Sequence, residues 1–315
     1  MRNQLILAAT FVLVSSTAIL ADNWPHWRGD HGNGVSENAN PPTEWSSTKN
    51  VKWKVKIPGK GSGTPIIWED RVYVVSAVPV AGGEGNADTA ARSAPLPNQQ
   101  SGRQRSGRQG GRSRSGGGRS APLRPLEFTV FCFDRGTGKE LWKHVAVTAK
   151  PHQQTHSTNN FASASPCTDG QYLYAHFGSR GLYCYTLDGS LVWKRDDLGK
   201  METRNGFGEG SSPTIAGDKI IVPWDHEGQS YLLTLNKTTG ETIWKVLRDE
   251  PTCWATPLIV KQDGKEQIIM NGQRYARSYD LKTGEELWRC SGQTQRPVAC
   301  PVKIDDLVIV GSGFR

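Results

Sequence analysis

The sequence predicts an all-β protein assembled from repeated four-stranded units. Two observations carry this prediction: a Gly-and-Trp motif that recurs four times, and a Ser/Thr-Pro marker that recurs upstream of the motif. The composition agrees, because 35 Gly and 11 Trp against only 3 Met favour many short strands and tight turns over helical packing.

The first marker is a Gly that lies four residues before a Trp, with an aliphatic residue directly before the Trp. The four pairs are Gly138 and Trp142, Gly189 and Trp193, Gly240 and Trp244, and Gly284 and Trp288. Gly adopts positive φ at little cost, so each copy predicts a tight turn. The Trp is then expected on an outer strand, where its ring can cover the seam between neighbouring units.

The second marker starts each unit. It comprises Thr64-Pro65, Ser165-Pro166, Ser212-Pro213, Thr256-Pro257 and the variant Cys300-Pro301. Pro is tolerated at the first position of a strand, and an acidic or Gly-containing turn and an alternating apolar run follow each copy. A four-stranded unit of about 44 residues has the size of a β-propeller blade. The period-2 alternation disfavours a helical repeat.

These markers predict a β-propeller with about five blades, of which the last is incomplete. Blade one spans about residues 63–147 with an insertion, and the others begin near residues 163, 210, 255 and 298. Residues 51–57, which contain Trp53, are predicted to form the outer strand that closes the last blade.

The pattern D-x-x-T-G-x-x-x-W resembles the repeat of pyrroloquinoline-quinone (PQQ) dehydrogenases and of the β-barrel-assembly lipoprotein BamB. The opening WPHWRGDHGNGVS resembles the start of secreted PQQ-like propellers of planctomycete-type bacteria. The resemblance covers about residues 24–80 and 127–315. It implies seven or eight blades, so that we expect a partial propeller over residues 51–315; a complete five-bladed propeller is the alternative.

Residues 1–21 have the features of a secretory signal. A positive start, an apolar stretch from Leu5 to Leu20 and Ala21 before the expected cut support cleavage. The alternative is a membrane anchor, but roughly 16 residues is short for a span. The sequence therefore predicts a periplasmic or extracellular protein with no span after cleavage, beginning with an extended segment over residues 22–50.

Residues 81–126 are predicted to be a disordered insertion between the second and third strands of blade one. They hold eight arginines from Arg92 to Arg124 and no acidic residue from residue 89 onward, so the net charge of +8 belongs to this segment. The insertion could contact nucleic acid, anionic lipid or cell-wall polyanions. A solvated loop extension is favoured, and no specific nucleic-acid binding is expected.

Six cysteines remain after the signal segment. An even number in an exported chain permits disulfides, whereas Cys132 and Cys184 lie in apolar strand patterns that are typical of buried thiols. There is no CxxC, so no structural zinc site is predicted.

The loops that enter the blades are the predicted ligand site, because in a propeller they converge around the mouth of the central channel. The candidate ligand-binding residues are His156, Asn159, Ser163, Glu209, Ser211, Asp225, Trp254 and Arg296. His156, His226, Glu209 and Asp225 could bind a metal in principle, but their spacing matches no metal motif. Adjacent Asp225 and His226 point to opposite faces of a strand, which disfavours a triad with Ser212.

The predicted function is an exported, non-catalytic propeller that binds envelope or other exported proteins, or a small ligand. The resemblance implies an alternative, a PQQ-dependent oxidoreductase with Ca²⁺ held by carboxylates and typically an adjacent Cys-Cys disulfide. No two cysteines here are adjacent and candidate carboxylates are few, so neither a cofactor nor a catalytic residue is predicted. A hydrolase or lyase that uses the His and Glu of the channel mouth is a third possibility.

Overall fold

The computed structural model describes residues 22–80 and 122–313 and shows an all-β fold. Within these residues every strand lies in an antiparallel sheet, and the only helical elements are two 3₁₀ turns, Gly178–Arg180 and Arg204–Gly206. The predicted signal segment, residues 1–21, and most of the predicted insertion lie outside the described residues.

Four sheets have four strands each, in the order of the sequence. The first contains β1 (Ile66–Trp68), β2 (Arg71–Pro79), β3 (Leu126–Asp134) and β4 (Glu140–Ala149). The second contains β5 (Cys167–Thr168), β6 (Tyr172–His176), β7 (Leu182–Thr186) and β8 (Leu191–Arg195). The third contains β9 (Thr214–Ala216), β10 (Lys219–Trp224), β11 (Ser230–Asn236) and β12 (Thr242–Arg248). The fourth contains β13 (Leu258–Gln262), β14 (Lys265–Met270), β15 (Ala276–Asp280) and β16 (Glu286–Cys290).

A fifth, two-stranded sheet pairs β17 (Val302–Ile304) with β18 (Leu307–Ile309). The first strands β1, β5, β9 and β13 lie beside one another, which is the arrangement of propeller blades around a channel. The prediction of a β-propeller with four-stranded blades is confirmed.

The core lies between the blades, where the inward faces of the middle strands pack. Tyr73, Val130 and Leu173 are fully buried between blades one and two, and Tyr174, Ile220 and Leu235 between blades two and three. A third cluster around Ile268 and Tyr279 joins blades three and four. Each blade therefore depends on its neighbour for the burial of its apolar face.

β2 and β3 form a hairpin on either side of the predicted insertion. The Val80 amide donates to the carbonyl of Pro125 (3.4 Å), and β3 begins at Leu126, the last residue of the predicted insertion. The register of β2 and β3 continues from Arg71–Asp134 to Pro79–Leu126. The hairpin therefore continues up to the point where the insertion begins.

The repeated Trp and Gly form a ladder on the outer side of the blades. Each Trp ring covers the turn Gly of the next blade, and its Nε1 donates to a carbonyl in the same turn. The donor–acceptor pairs are Trp142 to Leu187 (3.2 Å), Trp193 to Lys237 (2.9 Å) and Trp244 to Leu281 (3.2 Å). The Gly is required because a Cβ on Gly240 would lie 2.7 Å from Trp193 Cδ2.

Trp53 takes the same place against blade one. Its Nε1 donates to the carbonyl of Arg135 (2.8 Å), and a Cβ on Gly138 would lie 2.7 Å from its Cδ2. The prediction of a strand over residues 51–57 is wrong for the described part of the chain, where these residues form no β-ladder. Trp53 and Ile57 pack against Val72, Phe131 and Phe133 of blade one, and these contacts hold the segment on the fold.

We expect Gly240→Ala to destabilise the protein more than Gly264→Ala does. Both glycines have φ between +73° and +78°, so both variants carry the strain of positive φ. Only residue 240 would also press on a Trp ring, whereas a Cβ at residue 264 meets nothing within 4 Å. Overpacking should add about 1–3 kcal/mol to the loss of unfolding free energy, measured by urea titration. Equal losses in the two variants would contradict the Trp–Gly ladder.

The Ser/Thr-Pro marker forms a second ladder, around the channel, which we call the Ser/Thr belt. The amide of each Ser or Thr donates to the side chain of its counterpart in the next blade: Thr64 to Ser165 (2.8 Å), Ser165 to Ser212 (2.9 Å) and Ser212 to Thr256 (3.1 Å). The Thr256 amide donates to Sγ of Cys300 (3.0 Å). Cys300 thus continues the belt as a thiol in place of a hydroxyl.

Ser212→Ala should lower the unfolding free energy by about 1–3 kcal/mol, because it leaves the buried Ser165 amide without an acceptor. Ser211→Ala is the matched control, since the Ser211 hydroxyl makes one long bond of 3.4 Å in a half-buried site. Urea titration of both variants measures the difference. A Ser211→Ala loss as large as that of Ser212→Ala would count against the belt.

All six cysteines are free thiols in this structure. Cys132 and Cys184 are fully buried in β3 and β7, as their apolar surroundings predict. Burial raises the pKa of Cys132 and of Cys184 to about 12, so both remain protonated at neutral pH.

Candidate functional site

Four loops connect the outer strand of one blade to the inner strand of the next, and they lie at one end of the channel. We call them the mouth loops: residues 150–166, 196–213, 249–257 and 291–301. The η turn at Arg204–Gly206 belongs to the second of them. Seven of the eight predicted ligand-binding residues lie in these loops: His156, Asn159, Ser163, Glu209, Ser211, Trp254 and Arg296.

Hydrogen bonds join the mouth loops to one another. The His156 amide donates to the carbonyl of Phe207 (3.1 Å), and Asn159 Nδ2 donates to the same carbonyl (2.9 Å). The Trp254 indole donates to the carbonyl of Gly208 (2.7 Å), while the Trp254 amide donates to Pro297 (3.0 Å). The four loops therefore form one bonded surface.

Phe207 lies at the centre of this surface. The His156 ring meets it edge-on with centroids 5.1 Å apart, and the Trp254 ring lies 6.4 Å away. The guanidinium of Arg296 stands 5.3 Å above the Phe207 ring, within the range of a cation–π contact. We call these four residues the mouth cluster. It combines aromatic faces, one cation and an exposed imidazole.

Glu209 points away from the mouth cluster and holds two loops together. Its carboxylate accepts a hydrogen bond from the Ser179 amide (2.7 Å) and another from the Ser179 hydroxyl. Burial raises the pKa of Glu209, and the Ser179 bonds oppose that rise. Gly178 must be glycine, because a Cβ there would lie 1.5 Å from Glu209 Oε2.

His152 continues this network toward solvent. Arg180 Nη2 lies 2.7 Å from His152 Nδ1, and since a guanidinium only donates, Nδ1 must accept. The proton is therefore on Nε2, which donates to the carbonyl of Met201 (2.7 Å). The Met201 amide in turn donates to Ser179 Oγ (2.8 Å), which connects His152 to Glu209 through one side chain.

Ser163 and Ser211 flank the same region. The Ser163 hydroxyl donates to the side chain of Asn159, and Asn159 Nδ2 also reaches the carbonyl of Glu209 (3.3 Å). The Ser211 hydroxyl donates to the carbonyl of Cys253 (3.4 Å). These polar groups serve the packing of the loops on one another.

Asp225 does not join the other predicted residues. It directly follows β10, in the turn that leads to β11. There Arg248 Nε and Nη2 donate to its two carboxylate oxygens at 2.8 and 3.0 Å. Both side chains are buried, and Arg248 also donates to the hydroxyl of Tyr279 (2.6 Å). Burial raises the pKa of Asp225, while the guanidinium opposes the rise. The carboxylate is therefore committed to an internal ion pair.

Glu250 is a second carboxylate held inside the fold. It accepts hydrogen bonds from the amides of Arg274 (2.8 Å) and Tyr275 (3.1 Å), and its side chain is fully buried. Within residues 22–80 and 122–313, no three His, Cys, Asp or Glu side chains are grouped so that they could hold a metal ion. No helix in the same ranges is long and apolar enough to cross a membrane.

Sequence reasoning missed three residues of this end of the fold. Phe207 is an aromatic residue between two glycines, Gly206 and Gly208, and that isolation is the signal that could have marked it. Arg248 and His176 lie within strand patterns. There, alternation alone does not distinguish a buried polar side chain from an exposed one.

The blades, the two inter-blade ladders and the bonded mouth loops define a PQQ-like β-propeller. The sequence profile of the family described as outer membrane protein assembly factor BamB matches residues 127–309. The chain belongs to this family. Whether it is of the planctomycete type stays a prediction.

Solved structures of propellers resemble the chain at low sequence identity. The quinohemoprotein alcohol dehydrogenase of Comamonas testosteroni matches 93% of this chain and 46% of its own, with 11% identity and a TM-score of 0.52. BamB of Moraxella catarrhalis matches 60% of this chain and 52% of its own, with 13% identity and a TM-score of 0.38. Likeness at this identity shows the fold alone.

A curated relative is similar over a shorter stretch. Methanol dehydrogenase [cytochrome c] subunit 1 of Methylorubrum extorquens is 30% identical over 89 residues, which are 26% of this chain and 13% of that protein. The chain thus spans about an eighth of this relative and about half of the two solved structures.

Proposed function

We propose that the protein is an exported, non-catalytic propeller that binds a protein of the cell envelope through its mouth loops. The observation that carries the proposal is the bonded surface of the mouth loops, with the mouth cluster His156, Phe207, Trp254 and Arg296 at its centre. Aromatic and Arg side chains are the residues that most often anchor protein interfaces. Membership of the BamB family, which is described by an assembly function in the outer membrane, supports a protein partner in that compartment.

The bonding of the carboxylates supports a propeller without bound quinone. The quinone enzymes that the repeat resembles hold Ca²⁺ by carboxylates, but here Asp225 is paired with Arg248 and Glu209 is bonded to Ser179. Releasing Asp225 to a cation would leave a buried guanidinium without its partner, which is costly. In this arrangement neither carboxylate is available to hold that Ca²⁺.

Site-specific photocrosslinking tests the proposal. A benzophenone amino acid at position 156 should give a discrete crosslink to an envelope protein, and an excess of unlabelled chain should compete it away. The same probe at the exposed Lys194 on the outer strand β8 is the matched control and should give no such product. Equal products from both positions, or none from position 156, would contradict binding through the mouth loops.

Reconstitution with PQQ and Ca²⁺ tests the rival function. The purified chain should show neither bound-quinone absorbance nor reduction of a dye that depends on an alcohol or a sugar. Quinone absorbance together with such turnover would establish an oxidoreductase and contradict the proposed non-catalytic function.

A further inference from the structure

A cavity lies beneath the first two mouth loops, between blades one and two. It is lined by β6, by the turn at Gly178–Arg180 and by the first two mouth loops. Its inner wall is apolar, with Phe128, Phe161 and Phe177, and its outer rim is polar, with His152 and Gln153. Phe128 is buried and His152 is exposed, so the cavity runs from the core toward solvent.

His176, the last residue of β6, lines the inner part of this cavity. Its side chain is buried, and neither Nδ1 nor Nε2 has a hydrogen-bond partner within the described residues. Burial lowers the pKa of His176 to about 4, against a weaker opposing effect of the nearby Ser211 backbone, whose contact falls short of hydrogen-bond geometry; the ring is therefore neutral at physiological pH. It therefore carries one buried N–H and one buried lone pair, and each is costly when unpaired.

The chemistry of the cavity selects a neutral group that both donates and accepts. Glu209 and Arg180 both line the cavity, so an anion or a cation would meet one like charge beside one opposite charge and would lose its hydration on entering. A hydroxyl complements a neutral imidazole because it supplies one donor and two acceptor lone pairs. The three Phe side chains can contact the carbon that carries the hydroxyl.

The size of the cavity limits what enters. It offers about 30 Å³ to the centres of water-sized molecules, and one water needs roughly 10–15 Å³ on that measure. Two or three non-hydrogen atoms therefore fit beside His176, and a larger ligand would have to extend past His152 and Gln153.

We propose that this cavity binds the hydroxymethyl end of a neutral polyol or saccharide, with the hydroxyl bonded to His176 and the carbon against the Phe side chains. The site is separate from the mouth cluster, and its occupancy does not depend on the protein partner proposed above. The rest of the ligand would meet the polar rim formed by His152, Gln153 and Arg180.

Glycerol is the probe that tests the cavity. In the full chain with ¹⁵N-labelled histidine, glycerol should shift the His176 ring signals saturably, with a dissociation constant on the order of millimolar. Dimethyl sulfoxide, which accepts but does not donate a hydrogen bond, should bind at least about tenfold more weakly.

Two substitutions of His176 keep the test independent of folding. His176→Phe removes donor and acceptor and should weaken glycerol binding at least about tenfold, whereas His176→Gln restores both groups and should retain binding within about threefold. In the variants, binding is followed through the ring signals of His152. His144→Phe, at an exposed histidine of β4 outside the cavity, should leave the affinity unchanged.

Three outcomes would overturn the proposal. They are a glycerol shift that does not saturate, an affinity that His176→Phe leaves intact, and a high-resolution structure in glycerol in which the cavity holds ordered water only. Each is independent of the crosslinking result, so the failure of one proposal does not carry the other with it.

Discussion

Replacing Arg248 by Met should lower the unfolding free energy by about 3–5 kcal/mol. The guanidinium makes two bonds to Asp225 and one to the Tyr279 hydroxyl, and both charged side chains are buried. Met has a similar length, so the cavity term should be small and the loss should come from the unpaired carboxylate. Urea titration at pH 7 measures the change.

The partner variant separates the ion pair from packing. Arg248→Met combined with Asp225→Asn should recover part of the loss, because the amide no longer carries a buried charge. Lys194→Met is the surface control: within the described residues Lys194 bonds only to the exposed Asp196 (2.7 Å), and its loss should cost no more than about 1 kcal/mol. A double variant that is less stable than Arg248→Met alone would show that the charge pair is not the source of the effect.

The outer ladder could be read from the sequence, because its two partners carry rare residue types. Trp193 and Gly240 each sit in a motif that repeats at the length of a blade, so a seam contact follows from the repeat alone. The Ser/Thr belt could not be read in the same way. The sequence predicts only that Ser165 and Ser212 precede a strand. The bond between them joins the amide of one blade to the hydroxyl of the next, and predicting it would require knowing how the two blades are placed relative to each other.

The position of the candidate site was predictable, whereas its chemistry was not. Loops that enter propeller blades must meet at the channel mouth, and His156, Trp254 and Arg296 do lie together there. Asp225 was expected among them because it ends a strand, but the strand β12 places Arg248 directly against it. This ion pair joins two residues that are 23 positions apart in the sequence and depends on how their strands are placed in the sheet. It produces no periodic pattern in the sequence.

His26 should make the protein less stable as the pH falls from about 6.5 to about 4. Burial lowers its pKa to about 4 from the ordinary value of 6.5, against a weaker opposing effect of its bond to the Pro213 carbonyl. In this pH interval His26 is protonated in the unfolded chain but not in the folded protein. The unfolding free energy therefore decreases as the pH decreases. The slope from this residue is about 1.4 kcal/mol per pH unit, or roughly 3 kcal/mol over the whole interval.

The structural role of His26 makes this loss specific to one segment. Trp24 pairs with Ile67 of β1, the Pro25 carbonyl accepts from the Thr168 amide, and His26 Nε2 lies 3.3 Å from the carbonyl of Pro213. Residues 24–26 therefore tie the first three blades together on the channel side. A protonated His26 would be a half-buried charge at the point where the three blades meet.

His26→Gln isolates the effect of the proton. The amide can still donate to Pro213 but does not titrate, so the variant should match the parent chain near pH 7 and become the more stable of the two by roughly 3 kcal/mol near pH 4. Urea titrations at half-unit intervals measure the two curves. Parallel curves for His26→Gln and the parent would mean that His26 titrates alike in the folded and unfolded chain, and that residues 24–26 do not hold it in a neutral state.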